Sequence, residues 1–76
     1  MTDLEKDKLR VLSRSEGFDG ADEFLLAFGS DSVVPGICML AACDYTCDVE
    51  PDCREGHCES CEDGTVKSCL IIAGLI

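Results

Sequence analysis

The stretch PGICMLAACDYTCDVEPDCREGHCESC, Pro35 to Cys61, carries six of the chain's seven cysteines within 27 residues. No other feature restricts the fold as severely. A chain of 76 residues buries little apolar surface, so a cross-link or a metal is expected to supplement its core. The odd cysteine count argues against a fully paired disulfide scaffold, and the opening MTDLEKDKLRVLSRSEG is charged where a secretory leader has an unbroken apolar run. A reducing, cytoplasmic setting is therefore expected, where clustered thiols hold metal more often than they pair.

A tetrahedral structural site takes four thiolates or imidazoles, usually delivered as two close pairs on separate turns. Cys38 and Cys43 form a C-x4-C pair and Cys58 and Cys61 a C-x2-C pair, with fourteen residues between them. In that interval Tyr45, Cys47 and Val49 alternate with Asp44, Thr46, Asp48 and Glu50, the pattern of a half-buried strand. Pro51-Asp52 supplies a turn, and a returning strand over about Arg54 to His57 is expected to pair with the first. Such a β-hairpin would carry the second cysteine pair back beside the first. The expected ligands are thus Cys38, Cys43, Cys58 and Cys61, holding one zinc ion; Gly56 and Gly64 leave the backbone free to turn amides toward the sulfurs.

Three thiols remain. Cys47 and Cys69 are expected as small buried apolar residues, and Cys53, just after the turn, as the exposed and most reactive thiol. Asp52 and Glu55 beside Cys53 disfavour its thiolate. The alternative is an additional thiol or metal site built from Cys47, Cys53 and His57, or a Cys47–Cys53 disulfide. His57, the only histidine, is otherwise expected to pack over the four-cysteine site.

Outside the cysteine region the chain reads as helix. From about Thr2 to Ser15, Leu4, Leu9 and Leu12 share a face with Val11 beside it, while Asp3, Glu5, Lys6, Asp7 and Lys8 cover the rest, and Gly17 stops the helix. Asp19 or its neighbour is placed to cap a second helix over Ala21 to Phe28, which carries Phe24, Leu25 and Phe28 on one face and ends at Gly29. Phe18 would pin the turn of this helical hairpin. Val33, Val34 and Ile37 flank a Pro-Gly pair and lead in extended form into Cys38. The segment Thr65 to Ile76 is apolar on nearly every side; Thr65 as a cap favours helix. CLIIAGLI is far shorter than the roughly 20 residues of a membrane span.

Several of these stretches together resemble a family of small uncharacterised zinc-ribbon proteins of bacteria and their phages. They are SVVPGIC, CDYT, the VEPD turn, the GHCESC knuckle and TVKSCLIIAGLI. The likeness runs from Ser32 to Ile76, with the helical start resembling the family more loosely. It implies metal pairs on Cys38 with Cys43 and Cys58 with Cys61. The chain departs from the family's pattern in placing cysteine at 47, 53 and 69, and histidine where an aromatic residue is frequent. The resemblance brings no activity with it. The expected fold is a small α+β metal-stabilised domain, with a helical hairpin over 1–31 and a zinc-ribbon β-hairpin with an apolar C-terminal segment over 32–76.

Sixteen acidic and six basic residues give a net charge of −10. Nucleic-acid affinity comes largely from Lys and Arg displacing condensed counterions, so a direct nucleic-acid role is not expected. The second helix offers Asp22 and Glu23 and no basic residue, which removes a helix-turn-helix reader as well. Four thiolates on one ion leave no coordination position for water, and one histidine with no phosphate loop or serine signature assembles no catalytic set. The expectation is a non-enzymatic adaptor or inhibitor that occupies a basic groove of a protein partner. The alternatives are a rubredoxin-like iron electron carrier, against which the x4 spacing of the first pair speaks, and a thiol-based metal-handling or redox-sensing protein.

Overall fold

Helix α1 runs from Asp3 to Ser15 in the computed structural model, which describes residues 2–29 and 31–76. Thr2 and Glu5 start it with a reciprocal capping box. The Glu5 N–H donates to Thr2 Oγ1 at 3.2 Å, and the Thr2 N–H donates to Glu5 Oε1 at 2.7 Å. The backbone bond from Thr2 favours the ionised carboxylate and holds Glu5 below the ordinary glutamate range. At the other end Gly17 adopts φ +88°, its N–H bonds to the Arg14 carbonyl at 3.1 Å, and the Phe18 N–H reaches back to Ser13 at 2.9 Å. That double bond is the glycine-terminated motif in which a residue without Cβ takes the left-handed conformation.

Helix α2, Ala21–Phe28, begins at Gly20 with no side-chain cap, so Asp19 does not have the capping role expected of it. Gly29 stays in the right-handed region and ends the helix without a reversal of hand. Phe18 pins the hairpin as expected, its ring centroid 5.7 Å from that of Phe24 and 6.1 Å from that of Phe28.

The strands are β1, Val34–Cys38; β2, Thr46–Val49; β3, Gly56–Cys58; and β4, Asp63–Ser68. Their order across one antiparallel sheet is β2-β1-β4-β3. The expected hairpin between the strand at Tyr45–Val49 and the one ending at His57 is therefore wrong: β2 and β3 lie at opposite edges. β2 pairs with β1, Val34 opposite Val49 and Gly36 opposite Cys47, and β3 pairs with β4. The reason is burial. All five residues of β1 are buried and require a neighbour on each side, whereas β2 is half-buried in the alternation expected of it and suits an edge. Alternation assigns a strand its faces but leaves its partner open.

A proline in an interior strand normally costs a ladder bond. Here Cys38 donates toward β2, to the Tyr45 carbonyl, and Met39 donates toward β4, to Thr65. Pro35 thus turns its missing N–H toward β4, one residue beyond the last β1–β4 partner, Gly36 opposite Ser68. No ladder donor is lost.

The C-terminal segment is strand first and helix second. β4 ends at Ser68, whose hydroxyl caps the short helix α3, Cys69–Ile72, by accepting from the Ile71 N–H at 3.1 Å. Ser68, and not Thr65, is the cap. Its hydroxyl also donates to the Pro51 carbonyl, and its N–H donates to Cys53 O at 3.0 Å, which fastens the β2–β3 crossing to the end of β4.

Leu9, Leu12, Phe24, Val34, Ile37, Cys69, Leu70 and Ile72 form the buried core between helices and sheet. A second cluster, Cys38, Cys58 and Val66, gathers Cys43, Tyr45, Cys47, Val49 and Cys61 around it. The sheet curls enough for β2 and β4 to touch across β1. No described helix is long and apolar enough to cross a membrane.

Candidate metal centre

Each cysteine pair belongs to the turn of its own hairpin. Cys38 closes β1, and the chain turns through Met39–Ala42 to Cys43, whose N–H bonds to the Leu40 carbonyl at 3.0 Å. Cys58 closes β3, and the turn into β4 places the Cys61 N–H on Cys58 Sγ at 3.3 Å and the Glu62 N–H on the Cys58 carbonyl at 2.7 Å. Because β1 and β4 are antiparallel neighbours with Cys38 opposite Val66, the two turns emerge at the same end of the sheet. The pairs converge by a different route from the expected one.

The sulfurs of Cys38, Cys43, Cys58 and Cys61 all lie within 4.8 Å of one another. Cys38 Sγ is 3.9 Å from Cys61 Sγ, and Cys43 Sγ is 3.8 Å from Cys58 Sγ. A regular tetrahedron of metal–sulfur bonds near 2.3 Å has edges of about 3.8 Å. The donor set fits a metal ion bound by four thiolates. Among the described residues it is also the one group of three or more such side chains close enough to share an ion.

Outer contacts orient the sulfurs. The Thr65 hydroxyl lies 3.0 Å from Cys38 Sγ, within donating distance of a thiolate, and the Cys61 amide serves Cys58. The Tyr45 N–H at Cys43 Sγ holds that thiol down to about 7. Cys61, hydrogen-bonded to the sulfur of Cys43, is pushed up to about 12. Without an ion the cluster thus supports ionisation at one sulfur and resists it at another, and metal binding requires those remaining protons to leave.

The other thiols stand outside this group. All seven cysteines are free, so Cys47 and Cys53 are not joined. Cys53 is half-buried, not exposed, with Sγ 3.9 Å from the Val66 carbonyl in the lee of the β2–β3 crossing. Cys47 is half-buried on β2, and burial raises its thiol above the ordinary range. Cys69 is fully buried in the helix-side core and pushed up to about 11 by desolvation. His57 is exposed: strand alternation turns Cys58 inward and His57 to the opposite face, so it does not pack over the sulfurs.

One residue assigned to the polar face of the first helix belongs here. Lys8 is 2% exposed. Its Nζ donates to the Leu40 carbonyl at 2.6 Å and to the Cys43 carbonyl, and lies 3.2 Å from Asp44 Oδ1. The signal was present in the sequence: positions 4, 8 and 12 recur at helical spacing, so Lys8 falls on the stripe of Leu4 and Leu12. No protein-family profile, curated protein or solved structure matches this chain.

Proposed function

We propose that Cys38, Cys43, Cys58 and Cys61 hold one zinc ion, and that the chain is a non-enzymatic zinc-ribbon protein that binds a basic protein partner. The observation that carries the metal reading is the close group of four sulfurs delivered by two hairpin turns. Zinc in such a closed site supplies folding free energy and leaves no position for substrate. The same donors accept iron, and the C-x4-C first pair favours zinc over the tight x2 pairs of rubredoxin-like centres.

The partner reading rests on charge and on one surface. Asp22, Leu25, Leu26, Gly29 and Leu75 line an open apolar groove between α2 and the C-terminal residues, where Leu26 is 85% and Leu75 60% exposed. A net charge of −10 disfavours a second copy across this groove and favours a partner that sets an apolar side chain within a basic surface.

Native mass spectrometry of protein purified without chelator, with thiol titration after denaturation and metal removal, tests the site. One zinc and seven free thiols are expected. Iron, several ions or missing thiols would transfer the reading to electron transfer or metal handling.

A further inference from the structure

Lys8 is the one fully buried charged side chain among the described residues. A buried ammonium is costly unless its surroundings compensate it, and lysine is seldom buried without a charged partner. The only carboxylate at Lys8, Asp44, is 63% exposed, so solvent screens most of that attraction. The other two acceptors are neutral carbonyls, of Leu40 and Cys43. All three acceptors lie within Leu40–Asp44, the segment that closes the first cysteine turn. Four thiolates around one divalent ion carry about two excess negative charges. An ammonium bonded to the Cys43 carbonyl sits on the turn that carries one of those four sulfurs.

We propose that Lys8 is the counter-charge of the metal centre and the link through which metal occupancy docks helix α1 on the sheet. The inference rests on the metal-site reading above. Its geometry is specific: a side chain from α1 reaches residues 32 to 36 positions later in the chain and bonds the turn that positions Cys43. The coupling is reciprocal. Metal held at the cysteines strengthens the field that retains the ammonium, and the docked ammonium raises metal affinity by the same factor.

The test compares the full-length protein with Lys8→Gln, which keeps a hydrogen-bond donor without charge, and Lys8→Arg, which keeps the charge. Zinc affinity is read by competition with a chromogenic chelator, and docking of α1 by amide hydrogen exchange with zinc and with zinc removed. Lys8→Gln is expected to weaken zinc binding by roughly 10- to 100-fold, the usual loss for an outer-shell partner, while Lys8→Arg retains most of the affinity. In the unsubstituted protein zinc slows exchange across α1, and in Lys8→Gln that slowing disappears.

A Lys8→Gln protein that exchanges faster by the same factor with and without zinc, at unchanged affinity, would make Lys8 an ordinary structural tie and overturn the proposal. If zinc removal unfolds the whole chain, the apparent affinity includes folding free energy and the charge comparison decides: Lys8→Arg binding zinc no more tightly than Lys8→Gln, or equal values for all three proteins, overturns it. Failure of the unsubstituted protein to bind zinc tightly removes the metal-site reading together with this one. Tight binding with no dependence on Lys8 removes this one only.

Discussion

Gly36 is expected to be the least replaceable glycine in the sheet. It sits in β1 where the curl brings β2 and β4 together. A Cβ added there would lie 2.8 Å from Val49 Cγ2, 2.9 Å from the Lys67 carbonyl oxygen and 3.0 Å from Val66 Cγ1. Ordinary contacts between such atoms are about 3.5–4.0 Å, so all three neighbours must retreat. The valine methyls can turn, but Lys67 is paired opposite Ile37 in the β1–β4 ladder and its carbonyl cannot. Overpacking of this kind costs about 1–3 kcal/mol, and the stiffer unfolded chain of an alanine variant offsets ~0.4–1 kcal/mol. Three simultaneous contacts place the cost at the middle of that range or above, so Gly36→Ala should lose roughly 1–2.6 kcal/mol, which for a domain of this size lowers the melting temperature by roughly 4–20 °C. Thermal unfolding of metal-loaded protein followed by circular dichroism measures it. Val49→Ala removes one of the three contacts, so the double variant should lose less than the sum of the single losses. An unchanged or raised melting temperature in Gly36→Ala, or strict additivity in the double variant, would refute the argument from crowding.

Two further outcomes follow from burial. Phe24 is fully buried with its ring 5.3 Å from that of Phe28, and Phe24→Ala should cost about 3–5 kcal/mol, a large part of the stability of a small domain. Loss of helical signal at room temperature is expected, and a variant as stable as the parent in urea would show that the phenylalanine trio does not cement the helices. Cys69 is raised from 9.0 to about 11 by burial, so the folded chain keeps a proton that the unfolded chain releases. Stability contributed by the neutral thiol is complete below pH 9 and declines as pH rises toward 11. Urea midpoints on either side of pH 9 should show that decline. Cys69→Ala should flatten it in part, since Cys47 and Cys61 are raised in the same direction, and an identical slope in the variant would contradict the assignment.

The sulfur cluster was legible from two spacings, C-x4-C and C-x2-C, because a knuckle is a local object whose geometry depends on few residues. The helices were legible for a similar reason: the leucine face of α1, its stop at Gly17 and the Phe24, Leu25 and Phe28 face of α2 are each set within a few residues. The Thr2–Glu5 capping box was not predicted, and the Asp19 cap does not form. What else escaped the sequence was long-range. The alternation of Tyr45, Cys47 and Val49 predicts a half-buried strand and nothing about whether β1 or β3 lies beside it. The burial of Lys8 depends on carbonyls of a distant turn, which periodicity alone hints at and only the packed structure supplies. Ser68 likewise reads as an unremarkable serine, although it ends a strand, begins a helix and fastens the crossing.

The strand order has a consequence for synthesis on the ribosome. β1, the most buried strand, pairs on one side with β2, which follows it closely, and on the other with β4, the last strand to emerge. Until Asp63–Ser68 leaves the exit tunnel, the nascent chain presents an apolar strand edge with open donors and acceptors, and Cys58 and Cys61, although already synthesised, have no β4 to hold them beside Cys38 and Cys43. An unpaired edge of this kind invites pairing with other chains. The second hairpin can join the first only through β4, so the sheet cannot close before that strand is available.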